Sequence, residues 1–161
     1  MPLNRAEQSV PRRHDQQHTH PMKRFVAFSI FLLICAKVDA ADCKNPSAGY
    51  YEKSQAMVGQ QLFSENCASC HGSDLAGQSG PALAGKDFVS YLKFTKISAP
   101  QLLAFMESQM PYQAPGSLKK SDYVDLFSYI LSVNGYPAGS AALDHHNVAC
   151  IAMLPYPGTK H

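Results

Sequence analysis

Residues 65–72 read ENCASCHG, two cysteines three positions apart with a histidine directly after the second. A C-x-x-C spacing lets two thiols converge on one small target, and three chemistries use it. In haem attachment the thiols add to two vinyl groups as thioethers, and the histidine that follows ligates the iron. A zinc site needs four ligands, so a second Cys/His pair should stand at a suitable distance along the chain. Downstream only His145 and His146 are adjacent, and neighbouring residues seldom converge on one ion. A dithiol oxidoreductase places its first cysteine after a strand, at a helix N-terminus, where the dipole lowers the thiol pKa.

The flanking residues separate these readings. Over 53–66, Ala56, Gly59, Leu62 and Phe63 recur at three- and four-residue steps and run on to Cys67, which predicts an amphipathic helix ending at the motif. The helix therefore precedes the cysteines, against the dithiol arrangement. After His71 come Gly72, Gly77, Gly80, Pro81 and Gly85, too many breakers for a regular element. A short helix is expected over 86–94 through Phe88, Tyr91 and Leu92. Ser98 with Pro100 marks the entry to another, carrying Leu102, Leu103 and Met106 and stopping at Met110-Pro111. Tyr123, Leu126, Phe127, Ile130 and Leu131 form the cleanest helical stripe, closed by Asn134-Gly135. No alternating strand pattern competes.

A haem would need a second axial ligand. Met57 and Met106 fall inside helical stretches, where methionine usually fills the core. Met110 stands at a helix end, 39 residues after His71, where a loop can carry its sulfur to the iron. His/Met ligation fills both axial positions, raises the reduction potential and suits one-electron transfer. A ligating histidine normally gives its other N–H to an acceptor, and the Pro81 carbonyl is the candidate.

The chain has 161 residues, 45% hydrophobic and 16% charged, enough for one modest domain with appendages. Its formal charge of +2 is far from the basic footprint of a nucleic-acid binder. Six of the basic residues lie in 1–40, so the remainder is close to neutral. From Met22 the sequence shows Lys23 and Arg24, an apolar run from Phe25 to Cys35, and small residues up to Ala40. That is the pattern of a secretory signal peptide, and the run falls short of the roughly 20 residues of a membrane span. The expected organisation is a leader or over-long start at 1–21, a signal peptide at 22–40 cleaved near Ala40, an N-terminal extension at 41–53, the domain at 54–135, and a C-terminal extension at 136–161 whose apolar pattern is weak. Cys35 would leave with the signal, and Ile34 before it argues against a lipoprotein.

GQQLFSENCASCHG (59–72), GPALAG (80–85), MPYQAPGSL (110–118) and DLFSYIL (125–131) together resemble the class I, small monohaem cytochrome c family. The resemblance implies an all-α fold, four to five helices around one covalent haem c and its iron, with the first and last helices crossing. It would place Gly59 and Phe63 against Leu126, Phe127 and Ile130, Leu83 at the ring edge, and Cys67, Cys70, His71, Pro81 and Met110 in cofactor-binding roles, with His71 and Met110 on the metal. Two departures stand out. Lys119 and Lys120 occupy the place where the family often caps its last helix with a hydroxyl, which leaves Ser117 or Ser121 as caps. Cys43 and Cys150 lie outside the match, and in an exported chain they are candidates for a disulfide, with free or intermolecular thiols the alternative.

The function expected is that of a periplasmic electron carrier, not an enzyme, working between a dehydrogenase or respiratory complex and a terminal acceptor. Its partners would be redox proteins, a dehydrogenase, an oxidase or another cytochrome, with no nucleic acid, and with the membrane only if the signal is retained; the chain would be a monomer. NGYPAG with the tail is similar to cytochromes associated with quinoprotein alcohol dehydrogenases, which makes a subunit of such an enzyme one alternative. The other is a haem enzyme or gas sensor with an open sixth site. Lys86, Lys93, Lys96, Lys119 and Lys120 either ring the haem edge or form an ordinary solvated surface, while His145, His146 and His161 read as exposed tail residues.

Overall fold

The computed structural model describes Cys43, residues 49–155 and Pro157. The signal-peptide and leader expectations, and His161, lie outside the described residues. Five helices follow in order: α1 Lys53–Asn66, α2 Ala68–His71, α3 Gly85–Thr95, α4 Ala99–Gln109 and α5 Lys120–Val133, with a 3-10 turn at Asn147–Cys150. Among the described residues there is no strand, only an isolated bridge between Glu52 and Gly139. The protein is all-α, as its periodicity implies.

Local chemistry sets the ends of these helices. At α1 the Gln55 side chain accepts from the Glu52 amide (3.2 Å), and at α4 Ser98 and Gln101 bond reciprocally, with Pro100 in the first turn. Helix α5 begins at neither serine expected to cap it. Lys119 is the N-cap, its amide donating to the Asp122 carboxylate (3.4 Å), because the acid three residues on reaches back where no hydroxyl does. The cysteine motif also does more than end α1: the chain breaks at Cys67 (φ −126°, ψ −33°) and starts a second, one-turn helix through His71.

Helices α1 and α5 cross in contact. Ala56, Gly59 and Phe63 are the buried residues of α1, while α5 buries Tyr123, Val124, Leu126, Phe127, Ile130 and Leu131. A Cβ on Gly59 would overlap the carbonyl oxygen of Asp125, so the crossing takes glycine because backbone meets backbone there. Phe63 finds an aromatic neighbour in Tyr129, ring centroids 5.5 Å apart. Met57, read as a core filler, is 71% exposed; the α1 stripe leaves its position facing water, whereas Met106 is buried.

The tail departs most from its weak apolar pattern. Tyr136, Leu143, Val148, Ile151 and Met153 are all buried. Tyr51 donates to the Tyr136 carbonyl (2.9 Å), Tyr136 donates to that of Met153 (3.0 Å), and Gln55 holds Leu143 by both its N–H (2.7 Å) and its carbonyl (3.0 Å). Cys43 and Cys150 are joined in a disulfide, Cα atoms 5.3 Å apart across 107 residues of sequence. His145, exposed as expected, pairs through Nε2 with Glu107 of α4, which also meets Lys120 at 3.3 Å.

Candidate functional site

A mainly apolar cavity of about 610 Å³, within the 300–1,000 Å³ typical of cofactor sites, opens between the motif and the later helices. Cys67, Cys70 and His71 line one part of it, and Pro81 and Leu83 of the glycine-rich loop line another. Phe88 and Tyr91 come from α3, Leu102, Phe105 and Met106 from α4, and Tyr123, Leu126 and Ile130 from α5. Met110 lines it too, from the loop after α4. All six residues singled out for cofactor binding thus meet in one space, drawn from three separate segments of the chain.

The loop is folded to hold His71. Its Nδ1 lies 2.7 Å from the Pro81 carbonyl, and since a carbonyl only accepts, that nitrogen carries a proton and Nε2 is the ring nitrogen left for another partner. A Cβ on Gly80 would come within 3.1 Å of the imidazole Cε1, so the loop passes this close to the ring because the residue is glycine. Backbone bonds from Gly77 to His71 (2.8 Å) and from Gly80 to Cys70 (2.8 Å) wrap the loop around the motif. Leu75, buried, takes a left-handed conformation (φ 62°) that costs a non-glycine residue about 1–2 kcal/mol. Burial of its side chain and the bonds its carbonyl accepts from Leu83 (2.8 Å) and Ala84 (3.2 Å) offset that cost.

The two thiols are unlike. Burial, with Cys70 nearby, pushes Cys67 up to about 11. Cys70 is held below the usual thiol range by hydrogen bonds from Ser79, Gln113 and Ser69, the Gln113 amide reaching its sulfur at 3.8 Å. Among the described residues no group of three or more His, Cys, Asp and Glu side chains could hold a metal ion. What the donor set fits is a flat apolar group with two points of covalent attachment: two free cysteines, an imidazole oriented through Nδ1, a thioether and aromatic walls.

Comparison with known proteins agrees with that chemistry. The model of the family described as cytochrome c oxidase, cbb3-type, subunit III matches residues 54–130. Residues 54–130 make a c-type cytochrome domain. The cofactor of such a domain is covalently bound haem c with its iron. The chain is 31% identical over 99 residues to the cbb3-type cytochrome c oxidase subunit CcoP of Rubrivivax gelatinosus, covering 60% of this chain and 32% of that one. It is 39% identical over 57 residues to cytochrome c-551 of Bacillus subtilis, covering 35% and 50%. The cytochrome thus spans half or less of the curated relatives it matches. Among solved structures, the sulfane dehydrogenase SoxCD of Paracoccus pantotrophus is similar over 69% of this chain and 57% of that one, at 25% identity and a TM-score of 0.48.

Three polar residues of the cytochrome site carry no local signal of their place. Tyr123 reads as one more apolar step of the α5 stripe, yet its hydroxyl donates to the Met110 carbonyl at 2.5 Å. Asn134 reads as a helix stop, yet its amide donates to Leu83 (2.8 Å) as well as Ile130 (2.7 Å) and so ties α5 to the loop over His71. Gln113 reads as an ordinary loop residue. Only the polar tip on an otherwise apolar face, at Tyr123, offered a sequence hint.

Proposed function

We propose that this cytochrome is an exported one-electron carrier in which Cys67 and Cys70 hold the haem as thioethers and His71 and Met110 are the axial ligands. The observation that carries the reading is the convergence of these four residues on one apolar cavity, with the His71 Nδ1 proton already engaged by Pro81. When bound, the haem supplies an iron that gains and loses one electron. The chain's own part is to fix that centre. Pro81 orients the imidazole by accepting from Nδ1–H, which would make Nε2 the more basic donor. Met110 occupies the sixth position, which excludes O₂ and peroxide and raises the potential. Phe88, Leu102, Leu126 and Ile130 keep water from the iron, so reduction need not await solvent reorganisation around a charged site.

Export is supported by the signal-like residues 22–40 and by the Cys43–Cys150 disulfide, a bond suited to an oxidising compartment. Among the described residues no helix is long and apolar enough to cross a membrane. A dehydrogenase, an oxidase or another cytochrome is then the redox partner, and the names of the relatives, an oxidase subunit and a cytochrome, belong to that class. The test is Met110→Ala. The oxidised wild type should show the weak deep-red sulfur-to-iron band and its reduced form should not take up CO; the variant should lose the band and bind CO. A wild type that binds CO as readily as the variant would put a gas-binding or enzymatic haem in place of the carrier.

A further inference from the structure

The backbone of Met110 is held from the far end of its own loop. Met110 caps α4 in an extended conformation (φ −119°, ψ 155°), and its carbonyl accepts from the Gly116 amide at 3.1 Å and from the Tyr123 hydroxyl at 2.5 Å. Tyr123 lies in the first turn of α5 and is 2% exposed. Its ring alone would complete the apolar stripe it shares with Leu126, Phe127 and Ile130. The hydroxyl adds a group that is costly to bury unpaired and that here has its partner in the Met110 carbonyl. That partner is also informative. The Met110 side chain leaves the Cα next to this carbonyl, so a bond that fixes the peptide fixes the direction in which the sulfur sets out. Helix α5 is in turn anchored on α1 through the Gly59 crossing, so the restraint comes from a helix held in backbone contact with another.

Resting on the reading of Met110 as sixth ligand, we propose that Tyr123 is its positioning residue: the hydroxyl on the Met110 carbonyl restrains the loop over 110–118 so that the sulfur stays over the iron. The loop is tied at Met110 by α5, at Gly116 by the same carbonyl, and across the cavity mouth by Gln113 on Cys70. Only the first of these comes from a buried side chain.

The experiment titrates imidazole into the oxidised holoprotein, where it competes with the Met110 sulfur for the iron. Wild type is compared with Tyr123→Phe, Met110→Ala and the double variant. Tyr123→Phe keeps the ring and its packing, and its half-saturating imidazole concentration should fall roughly three- to tenfold, the range for one buried hydrogen bond. Met110→Ala should lower it further, and adding Tyr123→Phe to that variant should change nothing more, because the restraint acts only through Met110. An unchanged titration in Tyr123→Phe, even with a lowered unfolding temperature, would make the hydroxyl merely structural and overturn the proposal. The same fold-change with and without Met110 would overturn it too, by showing an effect on the cavity instead of the ligand. If Met110→Ala binds imidazole no better than wild type, the axial assignment itself fails, and the role of Tyr123 goes with it.

Discussion

Replacing Gly59 by alanine sets two effects of opposite sign against each other. In mid-helix the change should stabilise α1 by about 1 kcal/mol, since glycine is the weaker helix former. At this position, however, the new methyl group overlaps the Asp125 carbonyl, its carbon at 2.5 Å as well as its oxygen, and meets the Leu126 amide at 3.0 Å. Both obstacles are backbone of α5, which cannot swing aside as a side chain would. Overpacking of a core costs roughly 1–3 kcal/mol, and the upper end applies where whole helices must separate. The net expectation is a loss of about 2 kcal/mol, or a fall in Tm of about 8 °C at the roughly 4 °C per kcal/mol of a domain this size. Gly59→Val should lose more again, while Val58→Ala, one residue away and half exposed, should stay within about 0.5 kcal/mol. Guanidinium unfolding of the oxidised holoprotein, followed by far-ultraviolet circular dichroism, measures all three. A Gly59→Ala protein as stable as wild type or more so would refute the reasoning, because propensity would then be the only effect present and the helices would not be in backbone contact.

Two further outcomes are expected. Replacing Cys43 and Cys150 together by serine should cost up to about 4.8 kcal/mol, the loop-closure value for a separation of 107 residues, read as a drop in the guanidinium midpoint. Glu107, although burial works to raise it, is held below the usual carboxylate range by the hydrogen bonds and charges of His145 and Lys120. A depressed carboxylate pKa stabilises the fold above its unfolded value and loses that contribution as pH falls. The stability difference between wild type and Glu107→Gln should therefore be present above about pH 4.5 and vanish below it, and a gap that persists at pH 3 would show that charge is not its source.

The helices were legible because their signals are local. The spacing of Ala56, Gly59 and Phe63 and of Tyr123 through Leu131 is written within each segment, and Ser98 with Pro100 announces the entry to α4. The cysteine motif, the loop glycines and Met110 carried the candidate site for the same reason: each residue type is scarce and its spacing informative. The packing of the tail was not legible because Leu143, Val148, Ile151 and Met153, all buried, follow no single period. Gln55 holding Leu143 at a separation of 88, and His145 meeting Glu107 at 38, are pairings of polar tips across the fold, to which no hydrophobic pattern points. The α5 cap was misplaced because a carboxylate at Asp122 did what a hydroxyl was expected to do.

The pairing of α1 with α5 also sets an order of events. The two helices stand near opposite ends of the domain, and the cavity wall that Tyr123, Leu126 and Ile130 supply is absent until the chain has been made past residue 130. Contacts so distant in sequence form slowly. Until they do, Cys67 and Cys70 lie on a short local segment with no wall across from them. A group attached at Cys67 and Cys70 would therefore have its widest access to the two thiols before α5 packs, and α5 would close the wall over it.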